Sequence, residues 1–190
     1  MNIKQGMVQS SLSKAHFPVY VITGEDPFLQ DKIRYTIKQS WLKQGICETS
    51  VLTVSNKDWD KAFENANNYS LFSELMLLDI RYNQKSIDAA SKATILNYLN
   101  NYNPKTIIII SAPHLPSKQL TWLLEHQNAG LINVTTYNKN EFLQWIKSKM
   151  AENNILFDGD IPELIYQHSQ NNLLSASQVI DKLSLIYTNQ

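Results

Sequence analysis

With 190 residues, 43% of them apolar, the chain can hold one domain of ordinary size, or one plus a small satellite, around a true core. Its 17 Lys+Arg and 17 Asp+Glu cancel, which argues against a protein whose main task is coating nucleic acid, because such proteins are markedly basic. The one cysteine, Cys47, excludes an internal disulfide, and no apolar run reaches the length of a signal peptide core or a membrane span, so a soluble protein of the reducing cytoplasm is expected.

Strand-like and helix-like patterns alternate along the first two thirds. Residues Phe17 to Thr23 are β-branched and aromatic and close on Gly24, which predicts a buried strand. Leu29, Ile33, Ile37 and Trp41 then recur at steps of four on one helical face, and Gly45 stands where a C-cap glycine is expected. Cys47 to Val54 reads as a second strand. Asp58 to Asn68 reads as a helix that breaks at Tyr69-Ser70-Leu71-Phe72. Leu75 to Ile80 is a third strand, apolar on both faces up to Asp79, and Ser86 to Asn101 a helix with Ile95, Leu96, Leu99 and Tyr102 along its stripe. Pro104 separates it from Thr106 to Ser111, whose four consecutive isoleucines show no alternation, the pattern of a central parallel strand covered on both faces. Ser117 to Gln127 is predicted as a short helix ended by Gly130, and Leu131 to Thr135 as the last strand. This β-α-β rhythm predicts an α/β sheet with right-handed crossovers.

After Tyr137 no strand pattern remains. Asn138 and Glu141 have the spacing of a capping box and open a helix carrying Phe142, Leu143, Ile146 and Met150. Asp160, Pro162 and Glu163 start another by the same logic, and from Asn172 a third carries Ala176, Val179, Ile180, Leu183 and Ile186. The division expected is an α/β domain over 1–137 and a small helical domain over 138–190. The last apolar stripe runs nearly to Gln190 without a C-terminal cap, which suggests a fragment of a longer protein.

The turn after the first strand has the layout of a nucleotide site without its chemistry. A P-loop would place several glycines and a lysine there, so that backbone N–H groups and an ammonium cradle phosphates at the helix N-terminus. This turn carries Glu25, Asp26 and Pro27 instead: two carboxylates repel a triphosphate, and proline removes one N–H donor. Glu25 and Asp26 as a general acid and base would need to converge on one substrate, which neighbours on a turn rarely do. His16, His114, His126 and His168 lie far apart and share no zinc spacing with Cys47. Trp41, Trp59, Trp122 and Trp145 all fall on predicted helices, which favours packing over base stacking. A stacking role would want arginines close by, and Arg34 and Arg81 lie elsewhere in the sequence.

Three segments in order, PVYVITGEDPFLQDKI, NNYSLFSELMLLDIR and NNLLSASQVIDKLSLIY, are similar to segments of the delta subunit family of the bacterial DNA polymerase III clamp loader. The first is similar to that family's strand, G-x-D/E-P-x-L turn and helix, and the second to its S-L-F segment running into an apolar strand. The third is similar to its G-N-L helix, with Asn171 where the family has glycine, a mild change because asparagine tolerates positive φ. The resemblance implies an AAA+-like parallel sheet flanked by helices with an inactive phosphate loop, a three-helix lid, and a C-terminal collar domain absent from these residues.

The resemblance also implies a role. Leu71 and Phe72 would enter an apolar pocket of the ring-shaped sliding clamp, with Tyr69 and Ser70 shaping the protrusion; without the resemblance, adjacent apolar residues at the end of a helix read as core. The partners implied are the sliding clamp, the ATPase and delta-prime type subunits of the loader, and primed DNA only within the assembled complex, with no membrane. No cofactor, metal or catalysis of its own is expected, although the holoenzyme is a nucleotidyltransferase. Asp79 ends its strand as a magnesium-holding acidic residue does, and Ser111 stands where a polar sensor residue would, but with no lysine and glycine loop at Gly24 both read as structural. The rival readings are a nucleotide-dependent α/β enzyme with a site at Gly24 and Asp79, and a nucleic-acid-binding adaptor.

Overall fold

The isoleucine run forms the centre of a sheet. In the computed structural model, which describes residues 1–45, 47–67 and 74–187, β1 (Val19–Thr23), β2 (Cys47–Thr53), β3 (Leu75–Arg81), β4 (Thr106–Ala112) and β5 (Ala129–Asn133) pair in the order β2-β3-β4-β1-β5. Every pairing is parallel. Ile108 lies opposite Leu78 on one side and Val19 on the other, and Ile109 opposite Asp79 and Tyr20. Every residue of β4 and of β1 is buried, because helices cover both faces. β2 is an edge strand and pays for it in pattern: its burial is broken, and Val51 faces solvent.

The two faces are built differently. On one, Leu78, Ile80, Val19, Val21, Ile108 and Ile110 pack with α3 (Trp59–Asn67), α4 (Ala89–Asn100) and the short turns Ser117–Leu120 and α5 (Thr121–Leu124). There Phe63 stacks on Tyr98 with centroids 4.5 Å apart, and Trp59 lies against Phe63 and Tyr82. Side chains alternate along a strand, so Tyr20, Ile22, Leu77, Asp79, Ile107 and Ile109 point to the other face. That face carries α2 (Pro27–Leu42), which buries the expected Leu29, Ile33, Ile37 and Trp41.

Several expected boundaries move, each for a local reason. Gly45 is not in the left-handed region; α2 ends through Lys43 in a right-handed conformation, and Gly45 instead makes room, since a Cβ there would stand 3.3 Å from the Glu74 carboxylate. α4 starts at Ala89 and not at Ser86, because Asp88 caps it by accepting from Ser91 N at 2.7 Å. The Tyr82 hydroxyl meanwhile bonds the Ser86 carbonyl. The helix expected from Ser117 splits into a 3₁₀ turn and a single α turn. Gly130 ends no helix: it lies inside β5, where a Cβ would come within 2.9 Å of Ile3 and 3.1 Å of Tyr20.

The amino-terminal residues, given no structure from the sequence, complete the β5 edge. Ile3 N donates to Leu131 O and Leu131 N to Met1 O, each at 2.9 Å, so a short parallel bridge covers the open edge. α1 (Val8–Leu12) follows and buries Val8 and Leu12.

The chain divides into two compact units, Met1–Thr135 and Thr136–Gln190. The second contains α6 (Lys139–Glu152), α7 (Ile161–Ser169) and α8 (Leu173–Tyr187), which pack pairwise on one another. The capping box forms: Asn138 Oδ1 accepts from Glu141 N at 3.0 Å, and Glu141 accepts from Asn138 N at 2.8 Å. Pro162 occupies the first turn of α7, but Asp160 makes no side-chain cap. Asn171 adopts φ 62°, and Asn172 caps α8 through Ser175 N. Among the described side chains of α8 the buried positions are Leu173, Ala176, Ser177 and Ile180, while the expected Val179 and Ile186 are exposed.

Candidate functional site

The turn after β1 is closed by its own residues. Gly24 has φ 102°, and a Cβ there would lie 2.0 Å from Val134 O, so only glycine fits. Asp26 caps α2: its carboxylate accepts from Leu29 N at 3.0 Å and its carbonyl from Gln30 N at 3.1 Å. The Gln30 side-chain amide donates to the Gly24 carbonyl. Pro27, in the first turn, brings no N–H. A carboxylate of the chain thus holds the place at the helix N-terminus where a phosphate would bind. Glu25 is exposed, while the Asp26 carboxylate is engaged by Leu29 N.

Asp79 lies on β3 beneath α2 and is 8% exposed. Its Oδ2 is held by Arg34 Nε at 3.4 Å and Arg81 Nη2 at 3.2 Å, and Arg34 also bridges Asp31 at 2.7 Å. Burial pushes the Asp79 carboxyl above its ordinary range, and the Arg34 guanidinium pulls it partly back. Asp79 Oδ1, Arg34 Nη1 and Ser111 Oγ are buried without a hydrogen-bond partner among the described residues. Ser111 stands opposite Arg81 and Ile22 in the sheet, and its carbonyl accepts from Tyr82 N. The two arginines that the sequence leaves without a role therefore serve one buried carboxylate. Spacing could not reveal this, because α2 and β3 meet only through the fold.

Tyr69, Ser70, Leu71 and Phe72 lie outside the described residues, as do Asn68 and Ser73. The chain on either side is firmly held. The Ala66 carbonyl, in the last turn of α3, accepts from Thr106 Oγ1 at 2.8 Å and from Asn103 Nδ2 at 3.3 Å. Beyond the segment, the Met76 carbonyl accepts from Trp41 Nε1 at 3.1 Å, and Met76 N donates to Lys105 O at 2.9 Å. Both stems are thus tied to the start of β4 and its preceding loop, 103–106. Sequence reasoning missed Asn103 and Thr106; the available signal was a polar pair flanking Pro104 ahead of an all-apolar strand. A cleft of about 300 Å³ between α3 and α4, lined by Asp60, Phe63, Glu64, Asn67 and Asn101 among others, reaches the last described residue before the segment.

The remaining candidates are structural. Trp41, Trp59 and Trp145 are buried in helix packing, and Trp122 is partly covered, with Lys92 Nζ 5.3 Å from its ring centre. His16 sits edge-on to Trp41, and desolvation lowers its pKa. His126 meets Asn100 Oδ1 at 3.0 Å. Among the described residues no group of three His, Cys, Asp or Glu side chains could hold a metal, and no helix is long and apolar enough to cross a membrane.

Set against known proteins, the sequence pattern of the family described as DNA polymerase III, delta subunit matches residues 20–135. The chain belongs to this family. The match ends on the last residue of the first compact unit and runs across residues 68–73. The chain is 26% identical to the DNA polymerase III subunit delta of Buchnera aphidicola (strain APS) over 183 residues, 94% of this chain and 55% of that protein. To the same subunit of Haemophilus influenzae it is 25% identical over 177 residues, 89% of this chain and 51% of that protein. It spans about half the length of these curated relatives. In fold it is similar to the Bacillus subtilis DNA clamp loader delta protein, with a TM-score of 0.73 at 18% identity over 96% of this chain and 57% of that one. The AMPPCP-bound DnaA of Aquifex aeolicus gives 0.51 at 15% identity, over 95% of this chain and 60% of that one. The delta subunit family, with an AAA+-like sheet, is thus the setting in which the turn at Gly24 and the stems around 68–73 are to be understood.

Proposed function

We propose that this chain binds the replicative sliding clamp and favours an opened ring interface for loading onto primed DNA. Leu71 and Phe72 enter an apolar pocket of the clamp, and Tyr69 and Ser70 shape the protrusion. The observation that carries the reading is membership of the DNA polymerase III delta family over a range that includes this segment. The geometry supports it in two ways. One stem is anchored to Thr106 at the start of β4 and the other to Lys105 just before it, so force on the plug is passed to the centre of the sheet. The phosphate position at α2 is filled by Asp26, which suits a subunit that leaves ATP hydrolysis to its neighbours.

In this reading residues 1–137 are an AAA+-like domain without a P-loop and 138–190 a helical lid. The chain works in the cytoplasm beside ATPase and delta-prime type subunits, and contacts primed DNA only within the complex. A ligand shifts a two-state equilibrium only by its differential affinity, so the plug fits the distorted clamp better than the closed one. The test is binding of the purified sliding clamp to wild type and to Leu71→Ala/Phe72→Ala. Two apolar side chains of this size, once buried, predict a loss of at least about a hundredfold in affinity. A double variant that binds as tightly as wild type refutes the assignment. A thermal shift with ATP would favour a nucleotide-dependent enzyme instead.

A further inference from the structure

A second leucine–phenylalanine pair, Leu156-Phe157, lies in the other compact unit, between α6 and α7. α6 ends in a left-handed cap: Asn154 takes φ 56°, Asn153 N and its side chain bond the Lys149 carbonyl, and Ile155 N bonds Met150 O at 3.0 Å. The cap drives Ile155 inward, where it is buried, and the next residue, Leu156, outward to 95% exposure. Phe157 follows at 36%. Ile161 N then bonds Asp158 O at 3.2 Å, which brings the start of α7 round, with Ile161 and Leu164 exposed one turn apart. Four large apolar side chains at one helix–loop–helix corner, two after the hydrogen-bonded cap of α6 and two in the first turn of α7, are costly to leave in water.

The charge around this corner narrows what can cover it. Between residues 150 and 181 there is no lysine or arginine, while Glu152, Asp158, Asp160, Glu163 and Asp181 give five carboxylates. Glu163 and Asp181 are bridged to Lys139 and Lys149, but Asp158 and Asp160, both exposed, stand directly between Phe157 and Ile161. Such a surface repels a phosphate backbone or an anionic membrane. A second copy of this chain would set the same carboxylates against each other across a two-fold contact. What complements it is a protein surface with an apolar pocket bordered by lysine or arginine.

We propose that Leu156, Phe157, Ile161 and Leu164 form a second docking surface, whose partner is a basic-rimmed apolar pocket on the ATPase subunit of the clamp loader. This rests on the loader reading above but not on the plug at Leu71 and Phe72. The probe is the purified ATPase subunit of the loader, immobilised for interferometry against the complete protein as wild type, Leu156→Asp, and Asp158→Lys/Asp160→Lys. All three positions are exposed, so folding is expected to be unchanged and is checked by thermal melts. Leu156→Asp should weaken association by at least about tenfold, the worth of one buried leucine, with clamp binding unaltered. The charge-reversal variant should also bind more weakly, and added salt should no longer weaken it as it does wild type. Wild-type affinity for both variants, absence of wild-type association, self-association through this corner, or loss of clamp binding on Leu156→Asp would each overturn the proposal. Failure of the loader reading shows separately, as wild type that does not bind the clamp.

Discussion

Replacing Arg34 by methionine tests the buried charge cluster under α2. The substitution keeps an unbranched side chain of similar length and removes one of the two ion-pair partners of Asp79, which then retains Arg81 at 3.2 Å. Removing one partner of a well-buried pair costs about 3–5 kcal/mol; with a second arginine still present and the Arg34 contact at 3.4 Å, about 2 kcal/mol is expected at pH 7. For a chain of this size that lowers the melting temperature of the first unit by roughly 4–8 °C. The pH dependence supplies the sharper criterion. Burial raises the folded-state pKa of Asp79 above its unfolded value, so the folded protein binds this proton more readily, and the group's contribution to stability falls as pH rises from the unfolded pKa through the folded one. Without Arg34 the folded pKa rises further, so the penalty of the variant is largest at neutral pH and shrinks as acid neutralises the carboxylate. Urea denaturation of wild type and variant at pH 7 and pH 4.5 measures both terms. Asp31→Asn is the control: Asp31 meets Arg34 at 2.7 Å but is 64% exposed, and should change stability by less than about 0.5 kcal/mol. An Arg34→Met loss that is equal at the two pH values would refute the electrostatic account and leave only lost packing.

Two further substitutions probe the local geometry of each unit. Gly24→Ala forces a Cβ to 2.0 Å from Val134 O at φ 102°, and should destabilise the first unit by more than about 2 kcal/mol, seen as a large drop in its melting temperature; a drop of under 2 °C would mean the turn is not held as described. Asn138→Ala removes the acceptor for Glu141 N and should cost the second unit about 1 kcal/mol, read from denaturation followed by Trp145 fluorescence in a background with Trp41, Trp59 and Trp122 replaced by phenylalanine, with Asn138→Ser recovering most of it.

The candidate site was only partly legible in the sequence. The closed turn could be read from Glu25, Asp26 and Pro27, since a cap and a proline act on neighbouring N–H groups within one helical turn. The proposed role of Leu71-Phe72 rests on the resemblance alone, because two adjacent apolar residues carry no periodicity to say which way they face. The supports on either side, Thr106 and Asn103 on Ala66, span 40 and 37 residues and leave no local pattern.

By itself the sequence determined the alternation of strands and helices, the central place of the isoleucine strand and the helical character of the last third. Those follow from side-chain periodicity, which each short segment expresses alone. The tertiary structure decided where the chain's exceptions go: Gly130 inside β5 beneath Ile3 and Tyr20, residues 1–3 on the sheet edge, and Arg34 and Arg81 around Asp79. Each depends on which strand neighbours which. That order is fixed by crossover packing between segments far apart in the chain, so no local pattern can announce it.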